Sequence, residues 1–144
     1  MKKIAIAADH AGFELKEFFL KNFKDVTWLD LGPANNDRVD YPDYAKKLAE
    51  AIQEKKVEGG LLICGSGIGM SIAANKCAGV RAAHVESEIS ARLAKEHNNA
   101  NVLCLGARIN APEYALEIFN SWLKASFQGG RHQDRVVKIH NLEK

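Results

Sequence analysis

The sequence predicts a three-layer α/β/α fold, a five-stranded parallel sheet with helices on both faces. Three observations predict it. Five short apolar runs recur along the chain, amphipathic stretches of helical period fill the intervals, and Gly-containing polar loops follow the first and third runs. Strands buried on both faces read as unbroken apolar runs rather than as alternation, which is the pattern here.

Lys3 to Ala8 is the first strand and Gly12 to Phe23 the first helix. Val26 to Leu31 is the second strand. The polar segment Gly32 to Tyr41 that follows is the longest loop, and its length places it at a working rim. Pro42 to Lys56 is a helix with proline in its first turn and Tyr44, Leu48, Ala49 and Ile52 on one stripe. Gly60 to Cys64 is the third strand, and Gly65 to Gly69 leads from it into a helix. Val80 to Val85 and Asn101 to Leu105 are the fourth and fifth strands, with the helix Ser87 to His97 between them. Pro112 to Ala125 is a helix with Leu116, Phe119 and Leu123 facing inward. The tail, Arg131 to Leu142, closes the chain as a helix with Val136, Ile139 and Leu142 on one side.

Length and composition bound the function. The 144 residues fit one domain, and 47% hydrophobic with 26% charged residues is ordinary globular usage. A formal net charge of +2 gives no reason to expect a nucleic-acid or membrane surface. The three cysteines are odd in number and none pairs at the spacing of a metal knuckle, so they read as reduced thiols, without metal. The apolar run after Met1 is broken by Asp9, too early for a signal peptide or membrane span, and the expectation is a cytoplasmic protein.

In an open parallel sheet, ligands bind beyond the carboxyl ends of the strands where the winding direction switches. Asp9-His10-Ala11-Gly12 follows the first strand and Cys64-Gly65-Ser66-Gly67-Ile68-Gly69 the third. If the first crossover and the third strand lie on opposite sides of strand one, the two loops face one ligand. Bare amides of the Gly-rich loop, at the start of a helix, suit an anion. The loop lacks the spacing of a dinucleotide fingerprint and the Gly-Lys-Ser/Thr ending of a nucleotide-triphosphate loop, and its bland reading is a tight turn. Cys64 sits where strand becomes helix, an address that favours a thiolate, whereas Cys77 and Cys104 read as small buried hydrophobes. His97, ahead of Asn98-Asn99-Ala100-Asn101, is either a proton donor and acceptor or a helix-end residue favoured by the dipole. Arg131 and Arg135 are four apart, suited to a phosphate or to a solvated face, and Arg108 lies beyond the fifth strand.

Taken together, these segments resemble the type B ribose-5-phosphate isomerase family, which includes galactose-6-phosphate isomerase subunits and allose-6-phosphate isomerases. The resemblance covers nearly the whole chain. It rests on Asp9-His10-Ala11-Gly12-Phe13, Asp40-Tyr41-Pro42, Cys64 to Gly69 with Ser71 to Lys76, His97-Asn98 with Asn101-Val102, and Gly129-Gly130-Arg131-His132 with Arg135. It implies a Rossmann-like sandwich, isomerisation of ribose 5-phosphate and ribulose 5-phosphate with neither metal nor cofactor, and a homodimer or tetramer with sites at the subunit interface, where the C-terminal helix packs. By matching position it makes Cys64 the base, His97 the ring-opening acid/base and Ser66 a proton relay. Gly65, Gly67, Ile68 and Gly69 hold the enediolate, Asp9 and His10 touch the ligand, and Tyr41 walls the site. Asn98, Arg108, Arg131 and Arg135 complete binding, the arginines mainly at phosphate. Ser66 stands where relatives often carry Thr, which keeps the hydroxyl and loses a methyl. Two other readings stay open: isomerisation of a six-carbon sugar phosphate, and a flavodoxin-like nucleotide-binding module without catalysis.

Overall fold

In a computed structural model, which describes residues 1–143, five strands form one parallel sheet in the order β2-β1-β3-β5-β4. The strands are β1 (Lys3–Ala8), β2 (Thr27–Asp30), β3 (Gly59–Cys64), β4 (Ala82–His84) and β5 (Val102–Gly106). The helices are α1 (Phe13–Asn22), α2 (Tyr41–Gln53), α3 (Ile68–Asn75), α4 (Glu88–Asn98), α5 (Pro112–Lys124) and α6 (Arg131–His140).

The interior strands carry Ile, Leu, Val and Ala in unbroken runs because both their faces are covered. All six residues of β3 and all five of β5 are buried. One face packs Ile4, Ile6, Leu61, Ile63, Leu103 and Leu105 against Phe19 of α1, Ala91 of α4 and Ile118, Phe119 and Trp122 of α5. The other packs Ala5, Ala7, Leu62 and Cys104 against Ala45, Leu48 and Ala49 of α2 and Met70 and Ala74 of α3. Right-handed crossovers explain the sides. The chain moves outward from β1 to β2, back across to β3, on to β4 and inward to β5, so α1 and α4 share one face and α2 and α3 the other. A flavodoxin-like sheet would place β4 beside β3; here β5 lies between them.

Several sequence expectations need correction. The predicted strand Val80 to Val85 shortens to Ala82–His84 because it is an edge strand paired on one side only. On α5 the buried stripe is Ala115, Ile118, Phe119 and Trp122, one position out of phase with Leu116 and Leu123, which only lean on that core. On α2, Tyr44 and Ile52 are likewise peripheral to Ala45, Leu48, Ala49 and Ala51. The tail helix ends at His140, not Leu142, and of its predicted apolar side only Val136 is buried, with Ile139 43% and Leu142 78% exposed. Cys104 is fully buried as expected and burial pushes its thiol up, whereas Cys77 is only half-buried, its thiol raised by burial and by Glu50.

Candidate active site

Because β1 lies between β2 and β3, the loops after β1 and β3 leave the same rim side by side, and the expected switch point is present. Asp9 is 6% exposed; its amide donates to the Ile63 carbonyl (3.1 Å), and its Oδ1 accepts from the Gly12 amide (3.0 Å). A Cβ on Gly12 would lie 2.4 Å from the Ile63 carbonyl oxygen, so glycine is what lets the two loops touch. The His10 Nδ1 lies 3.2 Å from the Val39 carbonyl oxygen and 3.3 Å from its amide, so either tautomer ties the long β2–α2 loop to this rim.

Cys64 ends β3 with only 4% of its surface exposed, and its Sγ accepts a hydrogen bond from the Gly67 amide at 3.1 Å. Gly67 takes φ +83° to bring that amide back over the sulfur. The Ser66 Oγ accepts from the Ile68 amide at 3.2 Å, and the Ser66 backbone lies against Gly106, where a Cβ would meet it at 2.6 Å. The amides of Gly65, Ser66 and Gly69 donate to no group among the described residues. At the head of a helix these donors form a ready anion site. Tyr41, the first residue of α2, presses its ring on Gly69, and the Arg108 guanidinium lies on Gly65, with Nη1 3.0 Å from where a Cβ would stand. Thus Asp9, His10, Tyr41, Cys64, Gly65, Ser66, Gly67, Ile68, Gly69 and Arg108 share one rim.

His97, Asn98, Arg131 and Arg135 do not join them. Helix α4 runs back from the upper rim, so its end lies beside Val102, which pairs with Gly60, while Cys64 pairs with Gly106. Those pairs stand about 13 Å apart along the strands. The helix ends through Asn99 in the left-handed region (φ 47°), so the C-cap is Asn99 and not His97. His97 instead stacks on His132, with ring centroids 4.4 Å apart and planes within 10°. Asn98 lines a lower cleft with Asn75, Lys76, Arg81 and Ile139. Within one chain Cys64 and His97 therefore occupy opposite rims.

Sequence reading also passed over two histidines. His84, the last residue of β4, puts its Cδ2 2.8 Å from where a Cβ on Gly67 would stand, and its Nε2 is sealed without a hydrogen-bond partner. The rule that ligands bind beyond strand ends would have flagged it. His132 sits inside the Gly129 to Arg135 motif, but its pairing with His97 has no sequence signal.

The ribose/galactose isomerase family profile matches residues 4–139. The chain belongs to the ribose/galactose isomerase family. Within that family it is 46% identical to ribose-5-phosphate isomerase B of Escherichia coli, over 99% of this chain and 97% of that protein. Ribose-5-phosphate isomerase B of Clostridium thermocellum superposes with a TM-score of 0.95 at 46% identity, covering 97% of this chain and 96% of that one. The Mycoplasma genitalium isomerase B solved with bound ribulose-5-phosphate superposes at 0.90 with 44% identity, covering 97% and 95% of the two chains. Family membership thus settles the fold reading against the nucleotide-binding alternative. No helix among the described residues is long and apolar enough to cross a membrane.

Proposed function

We propose that the chain interconverts ribose 5-phosphate and ribulose 5-phosphate through an enediolate, with Cys64 as the base. The observation that carries this is a single loop holding both chemical necessities: a sulfur under the Gly67 amide, and beside it three further amides without partners among the described residues. The names of the relatives, one of them solved with ribulose-5-phosphate, support the substrate.

Each step follows from a group on the page. The aldose 5-phosphate is closed as a furanose, so an acid must first protonate the ring oxygen while the proton on oxygen 1 leaves; His97 has that role. The Cys64 thiolate then takes the proton from carbon 2, and the electron pair moves onto oxygen 1. Amides of Gly65, Ser66 and Gly69 hold the developing charge, and losing one such donor commonly costs about 3 to 4 kcal/mol. The Ser66 hydroxyl passes a proton between the two oxygens. The Cys64 thiol returns its proton to carbon 1, which leaves the ketose and regenerates the thiolate. Arg108 beside the loop, with Arg131 and Arg135, takes the phosphate, for which a planar guanidinium is the suited cation.

Since His97 and the paired arginines lie on the lower rim, this chemistry requires a second copy whose lower rim covers the first copy's upper rim. A two-fold axis makes the exchange reciprocal and gives two identical sites. Exposed Ile68 (51%) and Ile72 (59%) on α3, and the uncovered Ile139 and Leu142 of the tail, offer apolar surface for such a contact. The free thiols suit the cytoplasm. The test is Cys64→Ala, assayed with ribose 5-phosphate. Turnover is expected to fall by a factor of about 10³ or more with the fold retained, and the parent rate to be unchanged by a chelator. A variant within a few-fold of the parent would remove Cys64 as base.

A further inference from the structure

We propose that His132 is a positioning residue for His97: its buried imidazole is the plate against which the ring-opening imidazole is held face to face. The inference deepens, and rests on, the assignment of ring opening to His97 made above.

The stack joins the end of α4 to the first turn of α6, with centroids 4.4 Å apart and planes inclined by only 10°. The plate is fixed. His132 is 6% exposed, and its amide donates to the Gly129 carbonyl at 3.0 Å. The connection before it is pinned to α4 by the Gln128 amide, which donates to the Glu96 carbonyl at 3.0 Å. The His132 Nε2 is sealed from solvent and bonds to nothing among the described residues, so that nitrogen is out of a substrate's reach and what the ring offers its neighbour is a flat face.

Its surroundings disfavour a charge on that face. Burial first, then His97 and the guanidinium groups of Arg131 and Arg135, hold the His132 imidazole below its ordinary pKa. The carboxylate of Glu96 on α4 is engaged by Arg92 at 2.6 Å. A neutral ring fixes the plane of its partner without competing for the partner's proton, whereas two imidazolium rings at this separation would repel. His97 itself is half-buried near the end of its helix, and the stacked His132 ring is the flat surface on which its imidazole lies. An acid that has turned away from the ring oxygen cannot deliver a proton to it.

The substrates separate this role from a structural one. Ribose 5-phosphate must open before it reacts. Ribulose 5-phosphate has its oxygen 5 esterified, cannot close a five-membered ring, and needs no opening. The experiment measures kcat from each sugar for the full-length parent and for His132→Phe, His132→Leu, His132→Ala and His97→Asn. Phenylalanine keeps a flat neutral face and leucine fills the space without one, so this pair carries the test even if the alanine variant fails to fold. Turnover of ribose 5-phosphate is expected to fall about tenfold in His132→Leu and His132→Ala, with ribulose 5-phosphate within about twofold of the parent, and His132→Phe is expected to recover most of the loss. With ribose 5-phosphate the impaired variants should also show rates that stop rising with enzyme, once spontaneous ring opening limits them. Equal losses from both sugars, no loss in His132→Leu, or a phenylalanine variant no better than leucine would overturn the inference. If His97→Asn is itself impaired equally with both sugars, the ring-opening assignment falls, and the inference with it.

Discussion

Gly67 is the residue on which the geometry of the proposed site turns, and replacing it with alanine gives a loss that can be worked from the structure. Its φ of +83° lies in the left-handed region, which costs an L residue about 1 to 2 kcal/mol. A methyl there would stand 2.8 Å from His84 Cδ2, 2.9 Å from the Leu105 carbonyl carbon and 3.1 Å from the Gly106 amide. Two of those neighbours are backbone of β5, which is held between β3 and β4 and has little room to yield. Such overpacking costs about 1 to 3 kcal/mol, for a sum of about 2 to 5 kcal/mol. Gly79 is the control: its φ is +80°, but a methyl there meets nothing within 4 Å, so Gly79→Ala should show the backbone cost alone. At about 3 to 4 °C per kcal/mol for a chain of this size, the midpoint should drop about 6 to 20 °C for Gly67→Ala and about 3 to 8 °C for Gly79→Ala. Thermal unfolding by circular dichroism reads both. Isomerase activity, assayed well below either midpoint, should collapse in Gly67→Ala as its amide leaves the Cys64 sulfur, and persist in Gly79→Ala. Equal midpoints, or a Gly67→Ala enzyme with parental turnover, would refute the reasoning.

Other consequences are more local. The Lys95 ammonium sits 4.1 Å from the Trp122 ring centroid, and burial, with Lys2 adding, lowers its pKa from 10.5 to about 8 against the pull of Glu58. Between those two values the unfolded chain holds a proton the folded chain has released, so this residue's contribution makes the fold more stable as pH rises. The midpoint of the parent minus that of Lys95→Met should therefore climb from pH 8 to 10.5; taking the difference cancels the opposite slope from Cys104, and a flat difference refutes the reading. For Arg135→Ala, the Michaelis constant for ribose 5-phosphate should rise about tenfold or more with a smaller change in kcat, the size of one lost charge-assisted hydrogen bond. An unchanged Michaelis constant would remove Arg135 from the phosphate site.

The legible parts of this molecule were those written locally. Ile4 to Ala8 and Leu61 to Cys64 read as strands because burial on both faces leaves no polar position. Cys64 stood out from Cys77 and Cys104 because it sits where a buried strand meets a Gly-rich helix start; its role as base came from the family resemblance and not from its position. The meeting of the Asp9 and Cys64 loops was legible only as a condition on strand order, and the sheet meets that condition because β1 lies between β2 and β3. What the sequence could not carry was distance across the sheet. His97 and Cys64 belong to the same motif set, yet a helix running back along a five-residue strand puts them on opposite rims, a fact of path length that no spacing records. The tail misled for a related reason. Ile139 and Leu142 follow the period of a buried stripe but stay 43% and 78% exposed, because the period alone does not say whether a surface is there to cover them. The contacts of Tyr41 with Gly69 and of His84 with Gly67 depend on how separate elements settle, so residue type alone gave neither.

Mixing two inactive variants tests the central arrangement most directly. On the proposed roles, Cys64→Ala chains lack the base and His97→Asn chains lack the ring opener, so each variant alone should turn over ribose 5-phosphate far more slowly than the parent. If each site takes Cys64 from one copy and His97 from the other, a mixed dimer has one site with both defects and one site with neither. Subunit exchange between the two variants should then restore up to half of the parental turnover per mixed dimer. A mixture no more active than its separate components, with exchange verified by mass, would contradict the account.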